Sequence, residues 1–253
     1  MTLGLAGKTV LVTGASRGIG RAVAAAFVEA GAATTILAEN DEVHETAKAL
    51  SSQSTVAAIQ CDVTDGAAVD DLGASLGPID ILINNAGIEQ QTRLDDPGAM
   101  ETVAKTFEIN VLGTFRVTQA VLDKVRPGGA IINTASVWGR YAPAGYSAYA
   151  ASKHAVIGLT RSWSRELAGR KIRVNAVCPG WVGTDAALAT LHTMAAEQGV
   201  EAAHLRADIE AAQDIEGLMV PEDVANLYLF LASPLAANIT GQAVNVDRGE
   251  YQA

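Results

Sequence analysis

The fold is decided near the start of the chain, by residues 8–20, which read KTVLVTGASRGIG. The apolar run at residues 9–13 is typical of a buried strand, and the pattern after Gly20 is helical. Glycines at Gly14, Gly18 and Gly20 allow a tight turn and a close backbone approach to a phosphate, and the amides at a helix N-terminus favour an anion. A strand, turn and helix of this kind predict a dinucleotide-binding site.

Short apolar runs alternate with helical patterns along the rest of the chain. We predict strands at residues 9–13, 34–37, 56–60, 81–83, 130–133, 172–177 and 243–246, and helices at 19–30, 42–50, 67–76, 99–125, 147–168 and 222–232. This alternation implies parallel strands joined by right-handed crossovers. The sequence therefore predicts a single α/β domain over residues 1–253, a doubly wound Rossmann fold of about seven strands with helices on both faces.

Residues 184–219, which we name the lid segment, break the alternation, because they are helical in pattern and lack a matching strand. We interpret this segment as a lid over a substrate, and a plain surface helical hairpin is the alternative. Ligands of doubly wound sheets bind beyond the carboxyl ends of the strands, so we expect the chemistry to lie just after the strands.

Composition excludes several classes of function. The chain has 28 acidic and 18 basic residues, a net charge of −10, which disfavours nucleic acid and anionic membranes as partners. With no leader-like or membrane-spanning pattern, we expect a cytoplasmic protein. Cys61 and Cys178 stand far apart and are interpreted as buried thiols rather than a disulfide. The four histidines show no metal-ligand spacing, so no metal site is expected.

Two residues bear on which dinucleotide binds. Glu39 follows the second predicted strand, where its carboxylate would accept hydrogen bonds from a ribose 2′-hydroxyl and repel a 2′-phosphate, favouring NAD. Arg17 lies in the glycine turn and could pair with that phosphate, favouring NADP. We predict NAD because a like charge held against a phosphate costs more than an exposed cation gains, and NADP remains the alternative.

Tyr149 and Lys153 lie one helical turn apart, so their side chains share one face of a predicted helix. A nearby ammonium favours a phenolate, so we expect the pKa of Tyr149 to fall from its usual value of about 10 toward neutrality. A phenol tuned in this way can carry a proton during catalysis.

The whole chain resembles the short-chain dehydrogenase/reductase family, whose single-domain members transfer a hydride between a nicotinamide and an alcohol or carbonyl. The resemblance rests on separated motifs: the glycine turn, Asp62-Val63 near the adenine, Asn84-Asn85-Ala86-Gly87 in the central sheet, the set Asn110, Ser136, Tyr149 and Lys153, and Pro179-Gly180 with Thr184 along the nicotinamide. One departure is Asp247-Arg248-Gly249, where many relatives carry two glycines, and it is expected to alter subunit contacts or the pocket mouth.

The resemblance implies a role for each catalytic residue. Tyr149 would exchange the hydroxyl proton, and Ser136 would hydrogen-bond the substrate oxygen where charge develops. Lys153 would bind the nicotinamide ribose and bias Tyr149, and Asn110 would hold a water that connects Lys153 to solvent. The cofactor-binding residues are predicted to be Gly14, Ser16, Arg17, Gly18, Ile19, Gly20, Glu39, Asp62, Val63, Asn84, Ala86, Gly87, Tyr149, Lys153, Pro179, Gly180, Val182 and Thr184.

The substrate pocket is predicted from residues that follow strands or lie in the lid segment: Glu89, Trp138, Arg140, Tyr146, Trp181 and His192. Glu89, followed by two glutamines, favours a hydroxylated or otherwise polar substrate, although an ordinary solvated loop would show the same pattern.

The sequence thus predicts an oxidoreductase that transfers a hydride between NAD(H) and a secondary alcohol or ketone, with a polyol or sugar-like substrate. Three alternatives remain: an NADPH-dependent ketoreductase, a non-catalytic dinucleotide-binding regulator, and an epimerase or dehydratase of a longer related family. The resemblance also implies a homotetramer, formed by the long helices that begin near Ala99 and Ser147.

Overall fold

The computed structural model describes residues 3–51 and 56–252. Within these ranges seven strands form one sheet: β1 (Thr9–Thr13), β2 (Ala33–Ala38), β3 (Val56–Gln60), β4 (Ile79–Asn84), β5 (Val125–Thr134), β6 (Arg173–Pro179) and β7 (Ala243–Val246). Their order is β3-β2-β1-β4-β5-β6-β7, and every neighbouring pair is parallel. The predicted doubly wound sheet is confirmed.

Helices cover both faces of this sheet. They are α1 (Gly18–Glu29), α2 (Glu42–Leu50), α3 (Gly66–Ser75), α4 (Ala99–Phe107), α5 (Thr114–Val121), α6 (Ser147–Glu166), α7 (Asp185–Gln198), α8 (Ala202–Ala211) and α9 (Pro221–Ala232). On one face α1 packs against α9 around the buried side chains of Phe27 and Tyr228. On the other, α3 packs against α5, and Leu72 and Val117 join a second core cluster. Two apolar layers therefore hold the sheet rigid.

The structure differs from the predicted helix over residues 99–125 in two ways: the helix is interrupted, and it ends before residue 125. A π-helical turn, Glu108–Gly113, separates α4 from α5, and α5 ends at Val121. Val125 belongs to β5, where it pairs with Ile79. The register shifts before Ile81, beside the Pro-Gly-Gly sequence of β5, and this irregularity hid the start of the strand from pattern analysis.

The lid segment forms two helices, α7 and α8, separated at Gly199, which has a left-handed φ of 66°. Both ends of the segment are held together, because Val182 and Met219 form a parallel bridge and the Gly183 amide donates to the Met219 carbonyl at 2.8 Å. The pair of helices thus leaves the sheet and returns to it at one point.

No helix among the residues that the structure describes has the length and apolar character needed to cross a membrane.

Candidate active site

A cavity of about 680 Å³ opens at the carboxyl ends of the strands. Each strand from β1 to β6 delivers a different part of its wall, because parallel strands end at the same edge of the sheet. The lining residues that directly follow these strands are Gly14 after β1, Glu39 after β2, Cys61 and Asp62 after β3, Asn85, Ala86 and Gly87 after β4, Ala135 and Ser136 after β5, and Gly180 after β6. The site is therefore built by the topology of the sheet.

The glycine turn needs its glycines for space and for conformation. Gly14 and Gly18 have φ values of 62° and 56°, which side chains rarely adopt. A Cβ on Gly14 would lie 2.6 Å from the Cα of Ala86, and one on Gly20 would lie 2.2 Å from the carbonyl oxygen of Gly14. Gly20 lies behind the turn and does not line the cavity. The cradle at the start of α1 fits a pyrophosphate.

Asn85 completes this end of the site, although it is not among the residues predicted from the sequence to bind the cofactor. Its side-chain amide donates to the carbonyl oxygens of Thr13 and Gly14 at 3.2 and 3.0 Å, and its backbone amide donates to the Thr13 hydroxyl at 3.0 Å. Asn84, predicted to bind the cofactor, instead donates to Thr118 and Asn133 inside the molecule. Successive side chains of a strand point to opposite faces, so only one of this pair reaches the cavity.

Glu39, Arg17, Asp62 and Val63, which are predicted to contact the adenosine, all line the cavity, and we call this part of it the adenosine end. Glu39 and Arg17 are exposed, and neither forms an ion pair with another described residue. The Asp62 carboxylate accepts from the Thr64 amide and hydroxyl, both at 2.8 Å. The Glu39 carboxylate is thus free to accept hydrogen bonds from a ligand.

Ser136, Tyr149 and Lys153 meet at the middle of the cavity. The Ser136 hydroxyl lies close enough to the Tyr149 hydroxyl to affect its pKa, and Ser136 Oγ accepts from the Trp138 amide at 3.1 Å. Lys153 is buried, with Nζ 5.5 Å from the centre of the Tyr149 ring, and it donates to the Thr134 carbonyl at 2.9 Å. A phenol, a hydroxyl and an ammonium therefore surround one position.

The acidity of Tyr149 departs from expectation. Removal from water raises the pKa of the phenol, the negative charge of Glu89 raises it further, and the nearby Ser136 hydroxyl opposes both. Burial also lowers the pKa of Lys153 to about 8, against the opposing charge of Glu89. The prediction that the pKa of Tyr149 is lowered is therefore wrong. It rested on the ammonium of Lys153 alone, whereas in the folded protein burial and the Glu89 carboxylate raise this pKa.

Asn110 lies in the π-helical turn and is buried. Its Oδ1 accepts from the Ile88 amide at 2.8 Å, and its Nδ2 donates to the Ile88 carbonyl and to Ser152 Oγ at 2.9 and 3.0 Å. A Cβ on Gly87 would lie 3.1 Å from Asn110 Oδ1 and 3.5 Å from Lys153 Nζ, so Gly87 separates the two side chains closely. Asn110 therefore holds the loop after β4 beside Lys153.

The substrate end of the cavity is lined by Glu89, Trp138 and Trp181, by Gln90 of the polar loop after Glu89, and by Glu250, which was not predicted. Burial raises the pKa of the Glu89 carboxyl, and the nearby Thr190 of the lid segment opposes this effect. Glu250 lies just after the Asp247-Arg248-Gly249 departure, which marked the region in the sequence without indicating the residue.

Three predicted substrate residues do not line the cavity. The Arg140 guanidinium donates to the carbonyl of Ala243, the first residue of β7, and His192 is exposed on α7. Tyr146 is buried behind Trp138, with ring centres 5.0 Å apart, and burial and Glu89 raise its pKa to about 12. A position close in sequence to other site residues does not ensure that a side chain lines the cavity, because a side chain on a loop can point in any direction.

Comparison with known proteins gives the class of this protein. A family model described as enoyl-(acyl carrier protein) reductase matches residues 14–250. The chain is 37% identical to a 3-oxoacyl-[acyl-carrier-protein] reductase of Thermotoga maritima, over 97% of this chain and 98% of that protein. It is also 37% identical to a sorbitol dehydrogenase of Cereibacter sphaeroides, over 98% of each chain.

The fold has a close counterpart among solved structures. It matches L-sorbose reductase from Gluconobacter frateurii, complexed with NADPH and L-sorbose, with a TM-score of 0.92, 28% identity and full coverage of both chains. The cavity and these relatives define an NAD(P)-dependent oxidoreductase that transfers a hydride between the nicotinamide and a secondary alcohol or ketone. The chain belongs to the short-chain dehydrogenase/reductase family.

Proposed function

We propose that this protein is an NAD-dependent dehydrogenase that oxidises a secondary alcohol of a polyol or sugar-like compound. The observation that carries the proposal is the polar wall formed by Glu89, Gln90 and Glu250 in the cavity that Ser136 and Tyr149 also line. A pocket that surrounds a reacting carbinol with acceptors favours a substrate with several hydroxyls.

When bound, the nicotinamide ring supplies the acceptor or donor of the hydride. The Ser136 hydroxyl orients the substrate oxygen, and Tyr149 takes its proton in the direction of oxidation or returns it in reduction. The Lys153 ammonium holds the nicotinamide ribose and stabilises negative charge on the phenol. Asn110 is held in place by its hydrogen bonds to Ile88 in the loop after β4. From this position it orders a water that passes protons between Lys153 and solvent.

The preference for NAD is supported by Glu39, whose free carboxylate lies at the adenosine end. A ribose hydroxyl can donate to it, whereas a 2′-phosphate would meet a like charge. Arg17 in the same wall supports the second candidate, an NADPH-dependent ketoreductase that uses the same catalytic residues in the other direction. NADPH is present in the L-sorbose reductase complex.

Thermal melting with each dinucleotide tests the cofactor choice, because a ligand stabilises the folded state in proportion to its affinity. We expect a larger increase in Tm with NAD than with NADP at equal concentration. A larger shift with NADP would favour the ketoreductase.

A panel of polyols, simple secondary alcohols, ketoses and simple ketones, followed by the change in nicotinamide absorbance, tests the substrate class. We expect oxidation of polyols with NAD to be the most efficient reaction. Exclusive activity on simple alcohols or ketones would contradict the polyol proposal.

The lid segment is proposed to close over the substrate. Residues 184–187 line the cavity from the start of α7, and Thr190 lies near enough to Glu89 to affect the pKa of its carboxyl. This proximity to a residue beside Tyr149 supports a closing role rather than that of a plain surface hairpin.

We further propose a cytoplasmic homotetramer. Leu112 and Phe115 are exposed by 48% and 43% on the helical stretch from α4 to α5, an apolar surface suited to a symmetric contact. The unpaired thiols of Cys61 and Cys178 fit a reducing compartment. Light scattering coupled to size exclusion would measure the mass, and a monomer would contradict the assembly.

A further inference from the structure

Ser152 is a buried polar residue of α6 that the proposed mechanism does not use. It stands between Tyr149 and Lys153 in the sequence, is fully buried, and does not line the cavity. Its hydroxyl donates to the Tyr149 carbonyl oxygen at 2.7 Å. A serine inside a helix can satisfy its hydroxyl with such a bond alone, yet Ser152 also has a partner outside α6.

That partner is Asn110, in the π-helical turn between α4 and α5. Asn110 Nδ2 donates to Ser152 Oγ at 3.0 Å. The direction of this bond is fixed, because an amide nitrogen only donates and the single hydroxyl proton of Ser152 is directed at the Tyr149 carbonyl. Ser152 therefore connects the amide of Asn110 to the backbone of the residue that carries the catalytic phenol.

The Ser152 bond and the Ile88 bonds have different effects on Asn110. Ile88 accepts from Nδ2 at 2.9 Å and donates to Oδ1 at 2.8 Å, so it determines which way the amide faces. With Ser152 as the second acceptor, both amide protons are used. The Ile88 bonds thus fix the orientation of the amide, and the Ser152 bond fixes its distance from α6.

This distance is critical because α6 carries both Tyr149 and Lys153, while Asn110 lies on the facing wall. A Cβ on Gly87 would lie 3.1 Å from Asn110 Oδ1 and 3.5 Å from Lys153 Nζ, so the space between the amide and the ammonium is one small residue wide. A displacement of about 1 Å in such a site is enough to slow a reaction that depends on its geometry.

We propose that Ser152 is a positioning residue for the proton path, and that it holds Asn110 at a fixed distance from Lys153. The inference rests on the role of Asn110 in the proposed function. Ser152 lies behind the cavity wall and touches neither substrate nor cofactor. Its loss therefore affects the rate of the chemical step and leaves ligand binding unchanged.

The kinetic test measures NADH formation in a single turnover, with sorbitol as the substrate and saturating NAD, because this rate is independent of product release. For Ser152→Ala we expect the rate constant to fall by about 3- to 10-fold. The KM for sorbitol and the Kd for NADH should change by less than about twofold. A rate equal to that of the wild type would overturn the proposal.

Ser152→Cys keeps a weak acceptor at the same position, so its rate should lie between those of the wild type and Ser152→Ala. If the Ala variant fails to fold, the Cys variant carries the comparison. A rate for Ser152→Cys below that of Ser152→Ala would contradict the hydrogen bond as the cause.

Ser164→Ala is the matched control on the same helix. Ser164 is buried in α6, and its hydroxyl donates to the carbonyl three residues earlier, that of Arg161, at 2.9 Å. It does not line the cavity. The rate constant of this variant should match that of the wild type. An equal loss of rate in Ser164→Ala and Ser152→Ala would show a general weakening of α6 and overturn the positioning role.

A double-variant cycle tests whether the effect passes through Asn110. In the background of Asn110→Ala, Ser152→Ala should change the rate by less than about twofold, because the group that it positions is already gone. A further loss as large as that in the wild-type background would overturn the proposal. A wild-type rate for Asn110→Ala alone would refute the proton path and the role of Ser152 with it.

Hydrogen exchange at the Ile88 amide gives a readout without substrate. This amide donates to Asn110 Oδ1, so it should exchange at least about threefold faster in Ser152→Ala and at the wild-type rate in Ser164→Ala. Unchanged exchange in Ser152→Ala would overturn the positioning role. Wild-type protein that oxidises no polyol would contradict the proposed substrate class alone, and the exchange rates would still decide the role of Ser152.

Discussion

The two ends of the cavity are built in different ways. At the nucleotide end the wall consists of glycine turns and strand ends, and the critical features are backbone conformation and the absence of side chains, as at Gly14. At the substrate end the wall consists of side chains from distant segments: Glu89 after β4, Trp138 after β5, Trp181 after β6 and Glu250 after β7. In the proposed function, backbone thus dominates the site of the dinucleotide, and side chains dominate the site of the substrate.

This contrast predicts that chemistry and cofactor binding can be separated by mutation. Tyr149→Phe should lower kcat by about 10²- to 10⁴-fold, because the proton carrier is removed, and should leave the Kd for NADH nearly unchanged. Steady-state rates and NADH fluorescence titration measure the two quantities. Tyr146→Phe is the matched control, a phenol buried beside Trp138 that does not line the cavity, and it should keep most of the activity. Retained turnover in Tyr149→Phe would refute the role of the phenol.

A single methyl group added at Gly14 should weaken dinucleotide binding at the nucleotide end. Gly14→Ala places a Cβ in a left-handed conformation and 2.6 Å from a backbone carbon, so we expect dinucleotide affinity to fall at least about 10-fold. Isothermal titration with NAD measures the loss. Gly66→Ala, whose Cβ would meet nothing within 4 Å, should bind normally. Equal affinities for both variants would show that the turn tolerates side chains.

A smaller effect is expected where a side chain does act at the nucleotide end. Glu39→Gln removes an exposed charge, so the preference for NAD over NADP should narrow by about three- to fivefold in the ratio of kcat/KM. Glu42→Gln, on the same surface but outside the cavity, should leave the ratio unchanged. A widened preference would exclude repulsion of the 2′-phosphate as the mechanism.

The smallest expected effect concerns pH at the substrate end. Ionised Glu89 raises the pKa of Tyr149, so Glu89→Gln should lower that pKa. Phenolate forms more readily in the variant, and the rising limb of kcat for alcohol oxidation should move to lower pH. The pH profile of kcat measures the shift. Gln90→Glu adds a negative charge nearby, so in this variant the rising limb should move to higher pH. A limb that moves to higher pH in Glu89→Gln would contradict the electrostatic coupling.

The nucleotide end and the substrate end also differ in how far the sequence alone predicted their residues. The residues at the nucleotide end lie in short contiguous motifs, and the structure brings Ser16, Arg17, Glu39, Asp62 and Thr184 to one cavity. Of the residues predicted for the substrate, Trp138 and Trp181 line the cavity, whereas Arg140 and His192 do not. A contiguous motif fixes backbone geometry locally, whereas the direction of a loop side chain depends on what packs around it.

Secondary structure was predictable for the same reason, with one informative failure. Short apolar runs located all seven described strands, because parallel strands buried on both faces are continuously apolar. The π-helical turn at Glu108–Gly113 has no periodic signature, and it is the turn that carries Asn110. The residue was identifiable by resemblance, but the local distortion that presents it was not.

The sequence by itself determined the doubly wound sheet, the glycine turn and the pairing of Tyr149 with Lys153 on one helical face, because strand alternation, glycine conformation and helical spacing are local properties. Only the tertiary structure decided the acidity of Tyr149 and the presence of Glu250 in the substrate wall. Both depend on burial and on charges contributed by segments far apart in the chain. Desolvation and long-range contact exist only once the chain has folded.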